Sequence, residues 1–158
     1  MSSPIPACDK PIDYLRREHR RLEKAFHDFE RLDPERERAA MVALVAQTCT
    51  ALDRLARLEC ELFYPALRAA LWEEDRLDEA EIEHATFRLL IAGLRRMSPD
   101  HVKYAATFRV LGRYVGQHIR AQESHLFQPL REGGLDWREL LQTLRRQLGE
   151  DAPEPVQA

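Results

Sequence analysis

The chain has 158 residues, of which 44% are hydrophobic and 32% are charged, and its formal net charge is −3. This length and composition predict one globular domain with a real hydrophobic core. The acidic balance argues against a nucleic-acid-binding surface, which would be basic. No uncharged apolar run approaches the roughly 20 residues that cross a membrane, and the N-terminus lacks the pattern of a signal peptide. Three cysteines without a CxxC pair favour a reducing compartment, so we expect a cytoplasmic protein without disulfides.

Hydrophobic residues recur at steps of three and four along most of the chain, which predicts an all-α protein. A first helix begins near Pro11, and a second begins with Asp33 as its cap and Pro34 in its first turn. The second helix extends to about Trp72, and Pro65 should kink or end it. The predicted inner seams are Ile12, Leu15, His19, Leu22, Phe26 and Phe29 in the first helix, and Met41, Leu44, Thr48, Ala51, Leu55, Leu58 and Leu62 in the second.

The second half of the chain repeats this pattern. A third helix covers about Leu77 to Met97, and a fourth starts with Ser98 as its cap and Pro99 at its first position. A short last helix opens at Asp136. The predicted inner seams are His84, Phe87, Ile91 and Leu94 in the third helix, and Tyr104, Phe108, Leu111, Val115, His118, Gln122 and His125 in the fourth.

The chain contains an internal repeat of helical hairpins. The stretch "EHRRLEKAF" of the first helix matches "EHATFRLLI" of the third, and "ECELFYP" of the second matches "ESHLFQP" of the fourth. Four amphipathic helices with short links bury their apolar faces best in an up-down antiparallel four-helix bundle. We therefore expect a flexible N-terminus at residues 1–8, a single domain with a short C-terminal helix at 9–148, and a disordered tail at 149–158.

Three inward-facing histidines are the strongest functional signal in the sequence. The repeat aligns His19 with His84, and His118 faces inward from the fourth helix. One histidine in an apolar seam is more often a hydrogen-bonded core residue than a ligand. Three histidines converging from separate helices are how bundles build metal sites, so their combination favours that interpretation.

These segments resemble the hemerythrin-like, or HHE cation-binding, family. "REHRRL" and "IEHATF" look like its two first-helix segments, and "RLARLECELFYP" and "HIRAQESHLFQP" look like its two second-helix segments. The resemblance covers about residues 9–132. It implies a four-helix bundle that holds a non-heme di-iron centre, with one histidine from the first helix of each hairpin. It also implies a histidine from each second helix, followed four residues later by a glutamate.

The sequence departs from this family pattern at several ligand positions. The family's second-helix histidine falls on Arg54, and its glutamates fall on Leu58 and Gln122. The resemblance implies that some members of the family have a further histidine at the position of Arg88. An arginine cannot become a ligand, and two close metal ions need anionic bridges. The sequence therefore predicts a degenerate site.

The sequence is compatible with three functions. The first is a mononuclear site for iron or another divalent metal, with dioxygen or another small ligand, in sensing or storage and not in turnover. Its predicted ligands are His19, His84, His118, Glu123 and Glu59. The second is a metal-free interaction or structural protein, in which Arg54 and Arg88 pair with carboxylates inside the former cavity. The third is an anion site formed by charged histidines beside Arg54. The sequence is also compatible with a homo-oligomer.

Overall fold

The computed structural model describes residues 11–70 and 74–125, which form five α-helices and one π-helical segment. These elements are α1 (Pro11–Arg31), α2 (Arg38–Leu58), the π segment (Glu59–Phe63), α3 (Tyr64–Ala70), α4 (Glu74–Arg96) and α5 (Tyr104–His125). Since α2, the π segment and α3 follow one another without a break, they form one long rod. No strand occurs among the described residues, and the all-α prediction is confirmed.

The rods are arranged as a four-helix bundle. Helix α1 packs against α2 and α5, and α4 packs against α5 and α2, so each rod contacts two neighbours around a common interior. Short links at residues 32–37 and 97–103 make consecutive rods antiparallel. Phenylalanine, leucine and isoleucine side chains fill the interior, including Leu15, Leu52, Phe87, Phe108 and Ile119.

Two helices start later than the sequence predicts. The second begins at Arg38, because Asp33 first closes a turn in which its Oδ1 accepts the backbone N–H of Glu35 at 2.9 Å. Within the same turn, Glu37 Oε2 accepts the backbone N–H of Asp33 at 2.9 Å. The fourth predicted helix begins at Tyr104, after a run of turns from Ser98. In both links the capping residue stabilises a separate turn and not the first turn of the helix.

The inward face of α2 differs from the predicted seam, which followed a strict seven-residue repeat. Leu44, Ala51 and Leu62 are only half-buried. A straight α-helix has 3.6 residues per turn, so its buried face drifts away from a seven-residue repeat by about 20° per heptad. Met41 and Glu59 are 18 residues apart, which is five full turns, and both are buried. The residues that fill the interior from this helix are Met41, Val45, Thr48, Cys49, Leu52, Leu55, Ala56 and Leu58.

The predicted disturbance at Pro65 is found as the π segment that precedes it. The backbone N–H of Tyr64 bonds to the carbonyl of Glu59, five residues back. Proline removes a donor and its ring collides with the carbonyl four residues earlier, and a wider turn relieves that collision. The rod therefore continues through Pro65 into α3.

The stretch Arg38–Ala69 is long and apolar enough to cross a membrane, but the core helix of a helical bundle has the same length and composition. Here its apolar side chains, such as Val45 and Leu52, are buried against the other rods. The predictions for the flexible N-terminus, Trp72, the short last helix and the tail lie outside the described residues.

Candidate metal centre

The centre of the bundle holds one carboxylate surrounded by three imidazoles. Glu59 is 0% exposed, as are His19 and His84, and His118 is 2% exposed. Glu59 Oε2 accepts hydrogen bonds from Nε2 of His84 at 2.5 Å and from Nε2 of His118 at 3.0 Å. On the other side of the same carboxylate, Nε2 of His19 lies 3.5 Å from Oε1. The structure thus brings together the three predicted histidines around the predicted Glu59.

Tyr64 completes this centre. Its hydroxyl donates a hydrogen bond to Glu59 Oε2 at 3.0 Å, and the residue is 0% exposed. The two residues are five apart in the chain, and the π segment between them carries both to the interior. Burial, together with the adjacent Glu59 carboxylate, raises the pKa of Tyr64 well above its usual value. The hydroxyl therefore stays protonated and holds the carboxylate in place.

Two of the histidines have a second carboxylate on their outer nitrogen. Nδ1 of His118 donates to Glu83, and Nδ1 of His19 lies 3.2 Å from Oε1 of Glu123. Such a carboxylate orients the ring and directs the other nitrogen inward, which is the usual arrangement behind a metal-bound histidine. Glu123 is therefore placed behind His19 and not at the centre, and its side chain is 22% exposed.

The wall around the histidines is aromatic. The rings of His84 and His118 meet edge to face with centroids 4.7 Å apart, and Phe87 packs edge-on against both at 5.4 Å. Nδ1 of His84 is buried and has no hydrogen-bond partner among the described residues. His84 thus lacks the outer carboxylate that His118 and His19 have.

The electrostatics of the centre follow from its burial. Burial alone would raise the pKa of Glu59, but the charge of His118 and the hydrogen bonds from the three histidines outweigh it and hold the pKa well below its usual value. Burial alone would lower the pKa of His118, but Glu59 and Glu83 raise it to about 9. Without a metal, the centre is therefore a buried ion pair of Glu59 with His118.

The donor set fits one metal ion. One ligand atom from each of Glu59, His84 and His118 lies within 4.8 Å of the others, close enough for a shared ion. His19 adds a third imidazole on the second oxygen of Glu59. Imidazoles with one carboxylate suit iron, zinc and other transition metals.

The positions at which the sequence departs from the family pattern do not contribute ligands. Arg54 and Arg88 are exposed, so the predicted Arg-carboxylate network inside the cavity is wrong, as is an anion site beside Arg54. Long cationic side chains reach water easily, and the interior offers Glu59 to histidines instead. Leu58 is buried but apolar. Among the described residues, only Glu59 supplies a carboxylate at the centre, and two close metal ions would lack their anionic bridges.

The sequence interpretation missed the roles of Tyr64 and Glu83. Both stand inside the stretches compared with the family, "ECELFYP" and "IEHATF". Glu83 could have been anticipated from the sequence, because a ligand histidine needs a hydrogen-bond acceptor on its outer nitrogen. His125, predicted to face inward, is exposed at the end of α5. His27 and His101 are exposed, and Cys60 is half-buried.

The family comparison agrees with this architecture. The model of the hemerythrin HHE cation-binding domain matches residues 10–130. This match covers most of the chain, and the chain belongs to this family. The buried group of Glu59, His84 and His118 is compatible with the cation binding that the description names. Comparison with curated proteins found no significant match, and neither did comparison with solved structures.

Proposed function

We propose that this domain binds a single divalent metal ion, iron in the cell, through His19, His84, His118 and Glu59. The observation that carries the proposal is the arrangement of the histidines, whose Nε2 atoms face one buried carboxylate. A further argument comes from the outer carboxylates Glu83 and Glu123, which orient two of the rings as in metal sites. Family membership supports a cation as the ligand.

The bound ion would serve sensing or storage of iron or of redox state, with dioxygen or another small molecule as its further ligand. Bound iron can change its oxidation state and accept a small ligand at an open position. The residues of the centre would bind the ion and exclude bulk water, and the protonated hydroxyl of Tyr64 would hold the Glu59 carboxylate in place. We place the protein in the cytoplasm, because three cysteines without a CxxC pair suit a reducing compartment.

A second candidate is a metal-free structural or interaction protein. This candidate is favoured by the hydrogen bonds of Glu59, whose carboxylate already accepts from His84, His118 and Tyr64 and so needs no metal ion as a partner. In that case the buried ion pair of Glu59 with His118 would specify how the four rods meet, and no metal would be needed.

Metal content of untagged protein decides between the two candidates. It should be measured by mass spectrometry as purified, and again after incubation with ferrous iron and with zinc. We expect about one ion per chain, since the donor set fits one. His118→Ala should abolish binding, whereas Arg54→Ala, the same truncation at the equivalent repeat position, should retain it.

The other outcomes are equally informative. Two ions per chain would show that residues outside this donor set act as ligands. Absence of bound metal, with a melting temperature that neither metal changes, would reject metal binding and favour the structural protein.

A further inference from the structure

A small cavity between α4 and α5 leads from the surface to His118. Its volume is about 40 Å³. The exposed residues at its mouth include Arg76, Glu79 and His125, and its buried residues are Ala80, His118 and Gln122. We call it the α4/α5 cavity. A water molecule needs roughly 10–15 Å³ on the same measure, so the cavity holds a molecule of about three heavy atoms and excludes larger organic substrates.

Gln122 stands at the buried end of this cavity with a hydrogen-bond acceptor that no described residue fills. The residue is 3% exposed, and its Oε1 has no hydrogen-bond partner among residues 11–70 and 74–125. A buried carbonyl oxygen without a partner loses its hydration without compensation, so such groups are normally paired with protein or with a bound molecule. The amide of Gln122 is a neutral group, so its oxygen is an uncharged acceptor.

The charges around the cavity select among small molecules. Besides Gln122, it is lined by Glu79 and Glu83, of which Glu83 is bonded to His118, and by Arg76 at its exposed mouth. An anion at the buried end would lie near Gln122 Oε1 and Glu83 and away from Arg76, whereas an aprotic molecule would leave Gln122 Oε1 unpaired. A neutral molecule with an N–H or O–H group satisfies the acceptor without repulsion.

We propose that the α4/α5 cavity binds one small neutral hydrogen-bond donor, with Gln122 Oε1 as its acceptor. Water occupies the cavity in the resting protein, and molecules of the size and polarity of hydroxylamine exchange with it. This inference rests on the proposed metal function, because the cavity ends at His118, one of the proposed ligands. It gives the metal centre its small-ligand selectivity, in favour of neutral protic molecules over anions.

Cobalt(II)-loaded protein provides the test, because the visible absorption of cobalt reports changes around the ion. Hydroxylamine, at a pH where it is neutral, and azide are titrated separately. We expect wild type to respond to hydroxylamine at lower concentration than to azide. Gln122→Leu removes the acceptor at similar volume and should weaken the response to hydroxylamine about fivefold, the typical effect of one hydrogen bond. Its response to azide should not weaken.

Two further variants complete the design. Gln117→Leu makes the same change at an exposed position of α5 and should behave as wild type. Ala121→Leu fills the cavity from an exposed helical position, so it should weaken or slow the response without unfolding the protein.

The outcomes separate the two proposals. If cobalt binds but Gln122→Leu responds as wild type does, the cavity proposal is overturned and the metal function stands. If azide is preferred over hydroxylamine, the amide presents its NH₂ group instead, and the proposal is equally overturned. If wild type gives no cobalt spectrum, the proposed metal function fails and the cavity proposal fails with it.

Discussion

The two hairpins share a repeated sequence, but their second helices turn different positions toward the interior. Helix α5 buries His118 and Gln122, whereas their repeat equivalents in α2 are an exposed arginine, Arg54, and a buried apolar residue, Leu58. The same rod instead contributes Glu59, the first residue of the π segment, to the centre. The equivalent of Glu59 in α5 is Glu123, which lies behind His19.

This difference amounts to a rotation of one residue, or about 100°, between equivalent helices. At the position that the resemblance assigns to a histidine, the second hairpin has His118 and the first has Arg54. The first hairpin brings a carboxylate to the centre at Glu59, one position after Leu58. Sequence equivalence within a repeat therefore does not ensure structural equivalence. The comparison also predicts that substitutions at equivalent positions have unequal effects.

The largest difference is expected between Glu59→Gln and Glu123→Gln. Glu59→Gln leaves the imidazolium of His118 buried without its main counter-charge, which should lower the free energy of unfolding by about 3–5 kcal/mol and abolish metal binding. Glu123→Gln acts at a partly exposed side chain and should cost about 1 kcal/mol or less. Urea unfolding of both metal-free variants measures this, and equal losses would contradict the asymmetry.

The second largest effect is a pH dependence that belongs to the second hairpin. The pKa of His118 is raised to about 9 from an ordinary 6.5, so its stabilisation is complete below about pH 6.5 and is lost as pH rises through about 9. The loss should be on the order of 3 kcal/mol in metal-free protein. Glu59, whose pKa is lowered, contributes stability above about pH 4.5 that is lost as pH falls through its lower native pKa.

Metal affinity should show the opposite trend over the same range. An ion must displace the proton of His118, so affinity should rise with pH up to about 9. Urea unfolding and chelator competition from pH 6 to 9.5 measure the two trends. Arg54→Ala should retain both, and a metal-free protein equally stable at pH 6.5 and 9.5 would reject the charged state of His118.

The smallest expected effect concerns the outer carboxylates. Glu83→Gln weakens the acceptor behind His118 and should lower metal affinity 10–100-fold. Its repeat equivalent, Glu18, pairs with Arg21 at 2.8 Å, so Glu18→Gln should change metal affinity less than twofold. Chelator competition on the two variants compares them directly. A similar loss in both would show that long-range charge, and not the bond to His118, is responsible.

The fold and the three histidines could be predicted because the repeat reports them directly. His19 and His84 follow from matched segments, and the apolar periodicity determines the bundle. The central role of Glu59 was less accessible, since a seven-residue template drifts by one position over the length of α2. The positions of Arg54 and Arg88 could not be deduced from family equivalence, because the rotation of α2 and the reach of an arginine side chain are set by packing.

The π segment also affects how angular position relates to residue number in this rod. A helical wheel drawn through Arg38–Ala70 at a constant 100° per residue would misplace every side chain after Phe63. In an unbroken α-helix, residues five apart lie about 140° from each other, so Tyr64 would point away from Glu59. The π segment absorbs the extra residue and keeps Glu59 and Tyr64 in one hydrogen-bonded pair, although neither side chain would reveal this in an alignment of individual positions.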